Sequence, residues 1–551
     1  MKLLLSTNVK SANSPKRSNT STRESNTSRA NTHTFVYSIV TVADRLQLWD
    51  ERELNRVSAD FGIVDIVVLT SLLLAAIGVG FWSGRKNNDV ESYLLGGRSL
   101  PWWAILGSIV ATETSTATVL SIPGAAYGEV GMRWLQIAMG YVLGRAVVVR
   151  VFLPLYFKGK LFTAYQVLDQ RFGHATKTVA SVLFLVTRNL GDGLRLFLAG
   201  LVVHTLLGWP FGWSVVAMGA VTIVYTVFGG LRSVVWNDCI QFVIYMLGGA
   251  AAVVIIASNL PGGWNQLWAF AESSGKSRVF EFRFSMSDPY NIWAGLIGGA
   301  VLTIGTHGTD HMMVQRYLSA RSEREAGRAV FLSSFVVLFQ FALFLFIGVE
   351  LACFYSLEAN VAPAKADQVF AHFIVHSFPQ NTGLIGLMLA AILSAAMSTL
   401  SSSLNASASA LLNDFYLPAC QTPPAPARQL SISRWSTVMF GFVQIGIGVW
   451  AITLEKTVVA NALTIASFSA GILLGIFSLG VLSRRAGQAA ALTGASAGLA
   501  VLLFVQFIAP YSPTFGWQIA WPWLALIGSA TTFVVGELTA VFFPKAERSQ
   551  S

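Results

Sequence analysis

The chain has 551 residues, of which 54% are hydrophobic and 12% are charged. Soluble domains carry about 25% charged residues, so this composition predicts an integral membrane protein that contacts the lipid bilayer along most of its length. The net charge of +10 does not indicate a nucleic-acid partner, because Lys and Arg fall in short loops between apolar stretches. The 3 cysteines form no metal-binding spacing, and the sequence has no Walker A, HExxH or GxSxG motif. An enzyme or an ATP-driven pump is therefore not expected.

The two ends of the chain differ from the rest. Residues 1–34 are rich in Ser, Asn, Thr and Arg, which predicts disorder. Residues 35–60 form either a short surface helix or, together with 1–34, an extension that the mature protein lacks. We therefore divide the chain into a polar N-terminal extension (1–60), a transmembrane domain (61–545) and a short cytoplasmic tail (546–551).

About thirteen apolar stretches approach the ~20 residues that a helix needs to cross a bilayer. They lie at about 62–82, 101–127, 132–157, 176–207, 212–229, 235–258, 289–313, 328–356, 382–413, 432–453, 458–482, 487–509 and 521–543. The fourth contains Arg188, Asp192 and Arg195, and it is expected to be one long tilted helix.

The distribution of Lys and Arg among the loops predicts the orientation. The odd-numbered loops are the more basic ones, with Arg316 counted in the seventh. These loops are therefore expected in the cytoplasm, with the N-terminus outside, the C-terminus inside and the protein in the plasma or inner membrane. In the polar loop 357–381, the stretch VAPAKADQVFAHFIVHSF suggests a short surface helix that acts as a lid.

The second span is polar at its middle, where Ala111 to Thr116 read ATETST, followed by Pro123 and Gly124. We predict a broken helix at 111–116, because an unwound turn frees carbonyl oxygens that can bind a cation. The alternative is a continuous helix whose Thr hydroxyls bond back to their own carbonyls. That alternative leaves Glu113 unexplained, since a carboxylate at this depth needs a cation, a proton or an Arg.

Asp238, near the start of the sixth span, has two interpretations. It is either a plain helix cap or a carboxylate that faces the bundle and adds negative charge to a cation site.

The seventh span carries five glycines and the polar residues Thr303, Thr306, His307 and Asp310, and it is expected to break where these polar residues lie. It lies five spans after the second, and paired interrupted helices in corresponding positions indicate a transporter binding site. His307 is either a packing histidine or a site residue. Asp310 is expected to form an ion pair with Arg316 at the cytoplasmic end.

The ninth span is rich in serine. Ala395, Ser398, Thr399 and Ser402 recur at helical spacing and share one face. Hydroxyl oxygens at membrane depth suit a small hard cation. Close packing of helices through small residues is the competing explanation.

Several stretches together, in order and at matching spacing, resemble the sodium:solute symporter family over about residues 62–485. They are GGRSLPWW (96–103), PG (123–124), LPLYFKGKLFTAYQVLDQRFG (153–173), YTVFGGLRSVVWNDCIQ (225–241), VQRYLSARSEREAGRA (314–329) and AAMSTLSSSLNASASALLNDFY (395–416). The resemblance implies an all-α membrane protein with the LeuT-type 5+5 inverted-repeat fold. The repeats then cover about 101–258 and 289–482.

The resemblance also implies ligands for a sodium ion. These are the carbonyls of Ala111, Thr114 and Ala395 and the hydroxyls of Ser398 and Thr399. Asp238 falls on the family's acidic residue near that site. Ser401 and Ser402 match positions that hold a second sodium in some members.

For the solute, the resemblance points to six polar residues: Glu113, Thr118, Tyr141, Thr303, Thr306 and His307. Sugar carriers also use polar side chains where this chain has Ala138, Val337 and Ala462. These three cannot bond a sugar through their side chains, so an organic acid or an amino-acid-like solute is expected instead.

The function implied is uptake of a small organic solute, coupled to inward sodium movement by alternating access. One alternative is a proton-coupled symporter that uses Glu113 and Asp238. A remote alternative is a membrane sensor built on the same fold. Sequence leaves the oligomeric state open.

Overall fold

The computed structural model describes residues 62–85, 89–159, 161–357, 362–363, 366–453, 458–512 and 516–543. All of them belong to one compact unit, Arg56–Ser551. They are helices and connecting segments, with one isolated bridge between Leu100 and Ala320. The predicted N-terminal extension and C-terminal tail lie outside the described residues.

Eighteen helices, numbered here in chain order, position the site. They are α1 (Ile63–Gly84), α2 (Val90–Leu95), α3 (Trp102–Glu113), α4 (Thr116–Tyr127), α5 (Leu135–Val147), α6 (Gln166–Phe172), α7 (His174–Leu207), α8 (Phe211–Ser258), α9 (Gly263–Ser273), α10 (Gly299–Gly308), α11 (His311–Leu318), α12 (Glu323–Leu357), α13 (Val369–Ser377), α14 (Leu384–Ala410), α15 (Pro426–Trp450), α16 (Val458–Leu482), α17 (Gln488–Leu503) and α18 (Trp521–Phe542). A π-helical turn, Ala294–Gly298, leads into α10.

Eight helical segments of the described chain are long and apolar enough to cross a membrane, or nine if the bent pair α3 and α4 counts as one span. α8 is counted once, although its 48 residues measure about 72 Å at 1.5 Å per residue. A bilayer core is about 30 Å thick. Gly230, with φ 58° and ψ −166°, interrupts α8. This interruption falls between the predicted fifth and sixth spans.

The serine-rich ninth span lies at the centre of the bundle. Every residue of α14 from Met388 to Ala410 is buried. In the most apolar 18-residue stretch of this span 89% of the residues are buried, whereas only 22% are buried in the corresponding stretch of α1. α1 therefore lies at the periphery of the bundle. Small residues on α14 let several neighbouring helices approach it closely.

α5 and α10 pack against each other almost backbone to backbone. A methyl group added at Gly144 would lie 2.5 Å from the carbonyl oxygen of Ala300, and one at Gly299 would lie 2.7 Å from that of Ile137. Only glycine fits at these positions, because real Cβ atoms do not approach other atoms so closely. We call this contact the glycine seam.

Candidate functional site

The second span is broken, as the sequence predicted. α3 ends at Glu113, and Thr114 and Ser115 adopt extended backbone angles before α4 begins. The two helical halves are bent by 57°. A capping box closes the start of α4, in which the Ser115 N–H donates to the Thr118 hydroxyl. The break is narrower than predicted, since Ala111 to Glu113 remain helical.

α14 faces this break with a hydroxyl group. The Thr399 Oγ1 lies 3.1 Å from the carbonyl oxygen of Thr112 and 3.4 Å from that of Thr114. The carbonyl oxygen of Ala395, on its own helix, is also 3.4 Å away. Several oxygens therefore converge around one buried hydroxyl, and oxygen is the donor type that hard cations prefer.

Three of the five residues expected around the sodium ion thus meet here: Thr114, Ala395 and Thr399. Thr112 joins them, although the sequence did not single out its carbonyl. The Ser398 hydroxyl instead donates to Asp238 Oδ1 at 2.5 Å. Ala111 is fully buried in the last turn of α3.

Asp238 is not a helix cap, so that interpretation was wrong. It lies inside α8, eight residues after the interruption at Gly230, and is fully buried. Its carboxylate accepts hydrogen bonds from Ser108 at 2.5 Å and from Ser398, and it lies 3.3 Å from Arg316. The Asp238 carboxylate therefore faces the interior of the bundle, and it contacts Ser398, the residue that precedes Thr399.

Arg316 is also placed differently from the prediction. It was counted as a loop charge paired with Asp310, but it is fully buried on α11 and binds Asp238. Its guanidinium donates to Ser108 on α3 at 2.8 Å, and also to the hydroxyls of Thr112 and Ser402. The physical reason is that α11 is buried along its whole length. A charged residue near the end of this apolar stretch therefore lies inside the protein and not in a loop.

The two serines expected at a second sodium site bond to their own helix. The hydroxyls of Ser401 and Ser402 donate to the carbonyl of Ser398 at 3.0 and 2.8 Å. Because Ser402 also accepts from Arg316, a guanidinium already contributes positive charge beside this serine pair.

The seventh span is interrupted as well. α10 ends at Gly308, Thr309 leaves the helical region, and Asp310 caps α11 by accepting from the Met312 N–H at 2.8 Å. The Thr309 hydroxyl bonds back to Gly305 within its own helix at 2.7 Å.

Glu113 finds the counterion that its depth requires. Its carboxylate binds Arg145 on α5, which is fully buried and also donates to the Ser333 hydroxyl at 2.5 Å. The other carboxylate oxygen lies 3.2 Å from His307 Nε2. Arg145 was not among the predicted site residues. The depth of Glu113 could have indicated it, because a buried carboxylate needs a partner and Arg145 is a basic residue inside the next span.

All six residues expected to contact the solute line one cavity of about 210 Å³. The cavity lies beside both broken helices. His307 Nδ1 is 3.3 Å from the Thr303 hydroxyl and 3.2 Å from that of Thr306. Trp134, Tyr141 and Phe341 form an aromatic wall, in which Trp134 stacks on Phe341 at 4.3 Å.

The cavity also contains charged residues that were given no solute role. Arg188 and Arg195 on α7 line it together with Asp310. Asp192 binds both guanidiniums, accepting from Arg188 at 2.5 and 2.8 Å. Arg188 lies 3.5 Å from Asp310. With 13% and 20% of their side chains exposed, the two arginines remain accessible to a bound molecule.

Taken together, apolar helices long enough to cross a membrane, two interrupted helices and a small polar cavity beside them are typical of a membrane transporter. The oxygen cluster at Thr399 and the charged cavity both adjoin the Thr112–Ser115 segment. They are two neighbouring places of different chemistry.

Comparison with known proteins agrees with this class. The family model of the sodium:solute symporter family matches residues 93–498, and the chain belongs to this family. It is 27% identical to the human sodium/iodide cotransporter, over 82% of this chain and 71% of that protein. It is 29% identical to mouse sodium-coupled monocarboxylate transporter 1, over 83% and 76% of the two chains. It is 26% identical to the sodium/sialic acid symporter of Proteus mirabilis, over 89% and 97%.

Solved structures give the same result. A Na⁺-coupled sialic acid symporter in a substrate-bound outward-open state superposes with a TM-score of 0.79 at 26% identity, covering 88% of this chain and all of that one. A nucleobase-cation-symport-1 transporter in a closed conformation superposes with a TM-score of 0.53 at 12% identity, which supports the fold alone. The expected LeuT-type helical fold is confirmed, and the matched relatives are transporters rather than enzymes.

Proposed function

We propose that this protein imports a small solute by coupling it to inward sodium movement through alternating access. The observation that carries the proposal is the Thr399 hydroxyl, which lies within 3.4 Å of two backbone carbonyls at the break between α3 and α4 and of the Ala395 carbonyl on its own helix. A sodium ion bound among these oxygens would hold the broken helix against α14. It would thereby favour the state in which the solute cavity is formed, which is coupling by differential affinity.

The proposed topology has about thirteen spanning helices in a plasma or inner membrane. The transmembrane domain covers 61–545, with repeats at about 101–258 and 289–482, the N-terminus outside and the C-terminus in the cytoplasm. Support comes from the interruption at Gly230, which makes two spans of α8. Further support comes from the breaks after Glu113 and Gly308, which fall in corresponding positions of the two repeats.

The proposed sodium ligands are the carbonyls of Ala111, Thr114 and Ala395 and the hydroxyls of Ser398 and Thr399, with Thr112 as an added candidate. Asp238 supplies negative charge nearby through Ser398. Each sodium that crosses ~100 mV contributes about 2.3 kcal/mol, close to fiftyfold accumulation of the solute. A second ion at Ser401 and Ser402 would share Ser402 with the Arg316 guanidinium.

The proposed solute is a small anion such as a monocarboxylate, or a molecule with an amino-acid-like head group. Glu113, Thr118, Tyr141, Thr303, Thr306 and His307 are the proposed contacts. A volume of about 210 Å³ is below the ~300–1,000 Å³ typical of drug-sized ligands. The accessible guanidiniums of Arg188 and Arg195 favour an anion. The side chains of Ala138 and Val337 are buried and apolar, which disfavours a typical sugar.

Transport by purified protein in proteoliposomes tests this proposal. A panel of labelled iodide, small monocarboxylates, amino acids and sugars is offered with an inward sodium gradient or with a matched potassium gradient. We expect one or more anions to accumulate only with sodium.

A pH gradient imposed in sodium-free buffer tests the proton-coupled alternative in the same vesicles. Accumulation under that condition, abolished in Glu113→Gln, would overturn sodium coupling. The Glu113–Arg145 ion pair leads us to expect none, because Glu113 already has a fixed positive partner.

A further inference from the structure

Glu350 is a carboxylic acid that the proposed transport cycle does not use. It lies near the C-terminal end of α12, two turns before the helix ends at Leu357, and is fully buried. Neither of its carboxyl oxygens has a hydrogen-bond partner among the residues that the structure describes. No cationic side chain of the described chain forms an ion pair with it.

Among the described residues, both carboxyl oxygens of Glu350 lack a partner, whereas the partly exposed Glu325 has one such oxygen and the buried acids named below have partners. Glu113 has Arg145, Asp192 has two arginines, and Asp238 has Arg316 with two serines. Asp414 accepts from Thr163 and Ser181 at 2.8 and 2.7 Å. Asp65 accepts from backbone N–H groups of Asn381 and Gly386. Glu350 thus differs from these acids, since no group among the residues that the structure describes compensates a negative charge on it.

The environment of Glu350 is apolar. One turn before it, Phe346 packs against Trp264 and Trp268 of α9. One turn after it, Phe354 packs edge-on against Phe373 of α13 at 4.9 Å. An isolated carboxylate is strongly destabilised in such surroundings, so the group takes up a proton instead.

Titratable and charged groups do occur on α12 and on the elements packed around its C-terminal half. They are Cys353 and Tyr355 on α12, Tyr127 on α4, Arg133 in the turn before α5, Tyr245 on α8, Glu272 on α9, and His372 and His376 on α13. Several of them have other partners: Arg133 binds Asp288, Tyr245 meets Thr114, and His372 meets Tyr355. Cys353, one turn after Glu350, interacts with it electrostatically, but a thiol supplies no positive charge. No described hydrogen bond or ion pair joins any of these groups to Glu350.

A metal cation does not fit this position. Hard cations such as sodium require several oxygen ligands, and Glu350 has no hydroxyl or amide of the described chain within hydrogen-bond distance. We propose that Glu350 is a proton-binding site that is protonated in this conformation. When the surrounding helices separate and water enters, the O–H bond breaks, the proton passes to water and the carboxylate remains.

This site makes the conformational equilibrium depend on pH. Acid favours the closely packed arrangement seen here, because that arrangement holds the protonated form. Alkaline pH favours an arrangement in which water reaches Glu350. The effect is independent of the sodium ligands, which lie on other helices.

Infrared spectroscopy of the reconstituted protein at neutral pH tests the site without relying on transport. The wild type is expected to show a carbonyl stretching band from a protonated carboxyl group that Glu350→Gln loses. Glu272→Gln is the matched control, since Glu272 is exposed on the neighbouring α9 and is expected to leave the band unchanged. An identical spectrum for Glu350→Gln would overturn the proposal.

Wild-type protein supplies a second test in case the variant does not fold. Dicyclohexylcarbodiimide reacts with protonated carboxyl groups in apolar surroundings, and mass spectrometry of the digested protein locates the adduct. We expect modification at Glu350 and none at Glu272. Labelling of Glu272 alone would contradict the proposal.

Uptake measurements then separate this inference from the proposed transport function. Sodium-driven uptake by Glu350→Gln is expected to persist but to lose the wild type's pH dependence. Retention of the full pH dependence would refute a functional role for Glu350. Absence of sodium-driven uptake in the wild type would refute the proposed function while leaving the spectroscopic result intact.

Discussion

The two broken helices interrupt the bundle in similar ways but expose different chemistry. At the first break, backbone carbonyls of Thr112 and Thr114 face a hydroxyl from another helix, Thr399. At the second break, the chain satisfies itself: the Thr309 hydroxyl bonds back to Gly305, and Asp310 caps the next helix. The first interruption therefore leaves carbonyl oxygens that a cation could bind. The second places the charged residue Asp310 at the lining of the cavity.

The two breaks are also physically joined. Arg316, on the helix that follows the second break, donates to Ser108 and Thr112 on the helix that precedes the first. One buried guanidinium therefore contacts the helices beside both breaks. Replacing the joining residue is expected to have the largest effect, and replacements specific to either break are expected to have smaller ones.

Arg316→Met removes this connection and leaves the buried Asp238 carboxylate without its cation. Breaking a buried ion pair on one side costs about 3–5 kcal/mol. We expect a large loss of thermal stability in detergent, measured by the unfolding temperature. The double variant Asp238→Asn with Arg316→Met is expected to recover part of that loss, since no charge is then stranded. Additive losses would show that the two residues do not act as a pair.

Thr399→Ala tests the first break. It removes the hydroxyl around which the carbonyls converge, and we expect the sodium concentration for half-maximal uptake to rise about tenfold, equivalent to ~1.4 kcal/mol. Thr399→Ser keeps the hydroxyl and is expected to lie close to wild type. Thr309→Ala is the matched control at the second break and is expected to leave sodium dependence unchanged. If Thr399→Ala and Thr309→Ala raise the sodium concentration for half-maximal uptake equally, the first break is not the specific place where sodium binds.

Asp310→Asn tests the second break. Asparagine also caps helices, so α11 is preserved, while the cavity gains one positive charge because Arg188 loses a carboxylate partner. Two unit charges 4 Å apart interact by about 1 kcal/mol in water. For an anionic solute, KM is therefore expected to fall about fivefold with sodium dependence unchanged. A raised KM for the anion would argue against an anion-binding wall.

The smallest effect is expected at α13, which packs beside α4, the second half of the first broken helix. Burial, reinforced by the adjacent His376, lowers the pKa of His372 to about 4, against about 6.5 in an unstructured chain. The packed arrangement thus binds fewer protons. Its stabilisation is complete above pH ~6.5 and is lost as the pH falls towards ~4.

Hydrogen exchange of the segment Val369–Ser377 across that pH range measures this effect. Exchange corrected for its intrinsic pH dependence is expected to accelerate on acidification in the wild type and to stay constant in His372→Gln. His204→Gln, at the end of α7, serves as the control and is expected to behave like the wild type. A pH response that survives in His372→Gln would assign it to another group.

Local features of the site were predictable from sequence, because they depend on neighbouring residues. Polar residues at mid-span indicated the break at Thr114, and helical spacing put Ser398 and Thr399 on one face. Charge partners on other helices were not predictable in this way. Arg145 and Arg316 meet Glu113 and Asp238 only after separate helices pack together, so sequence distance assigned Arg316 to the wrong carboxylate. Arg188, in contrast, pairs with Asp192 one turn along its own helix.

Asp238 illustrates the same limit. Its position near the predicted start of a span suggested a cap as readily as a site residue. The outcome depended on Gly230, whose positive φ interrupts α8 eight residues earlier. A helix end that is set by one glycine's backbone angles cannot be located from apolar length alone.

The glycine seam has a consequence for the geometry of the cavity. At Gly144 the atom nearest to an added methyl group is Cγ2 of Thr303, and at Gly299 it is the carbonyl oxygen of Ile137. The close contact between α5 and α10 therefore sets the distance between Tyr141 and Thr303, which both line the cavity. A bulky residue at Gly299 is expected to push the two helices apart and to alter the cavity, although Gly299 does not itself line it.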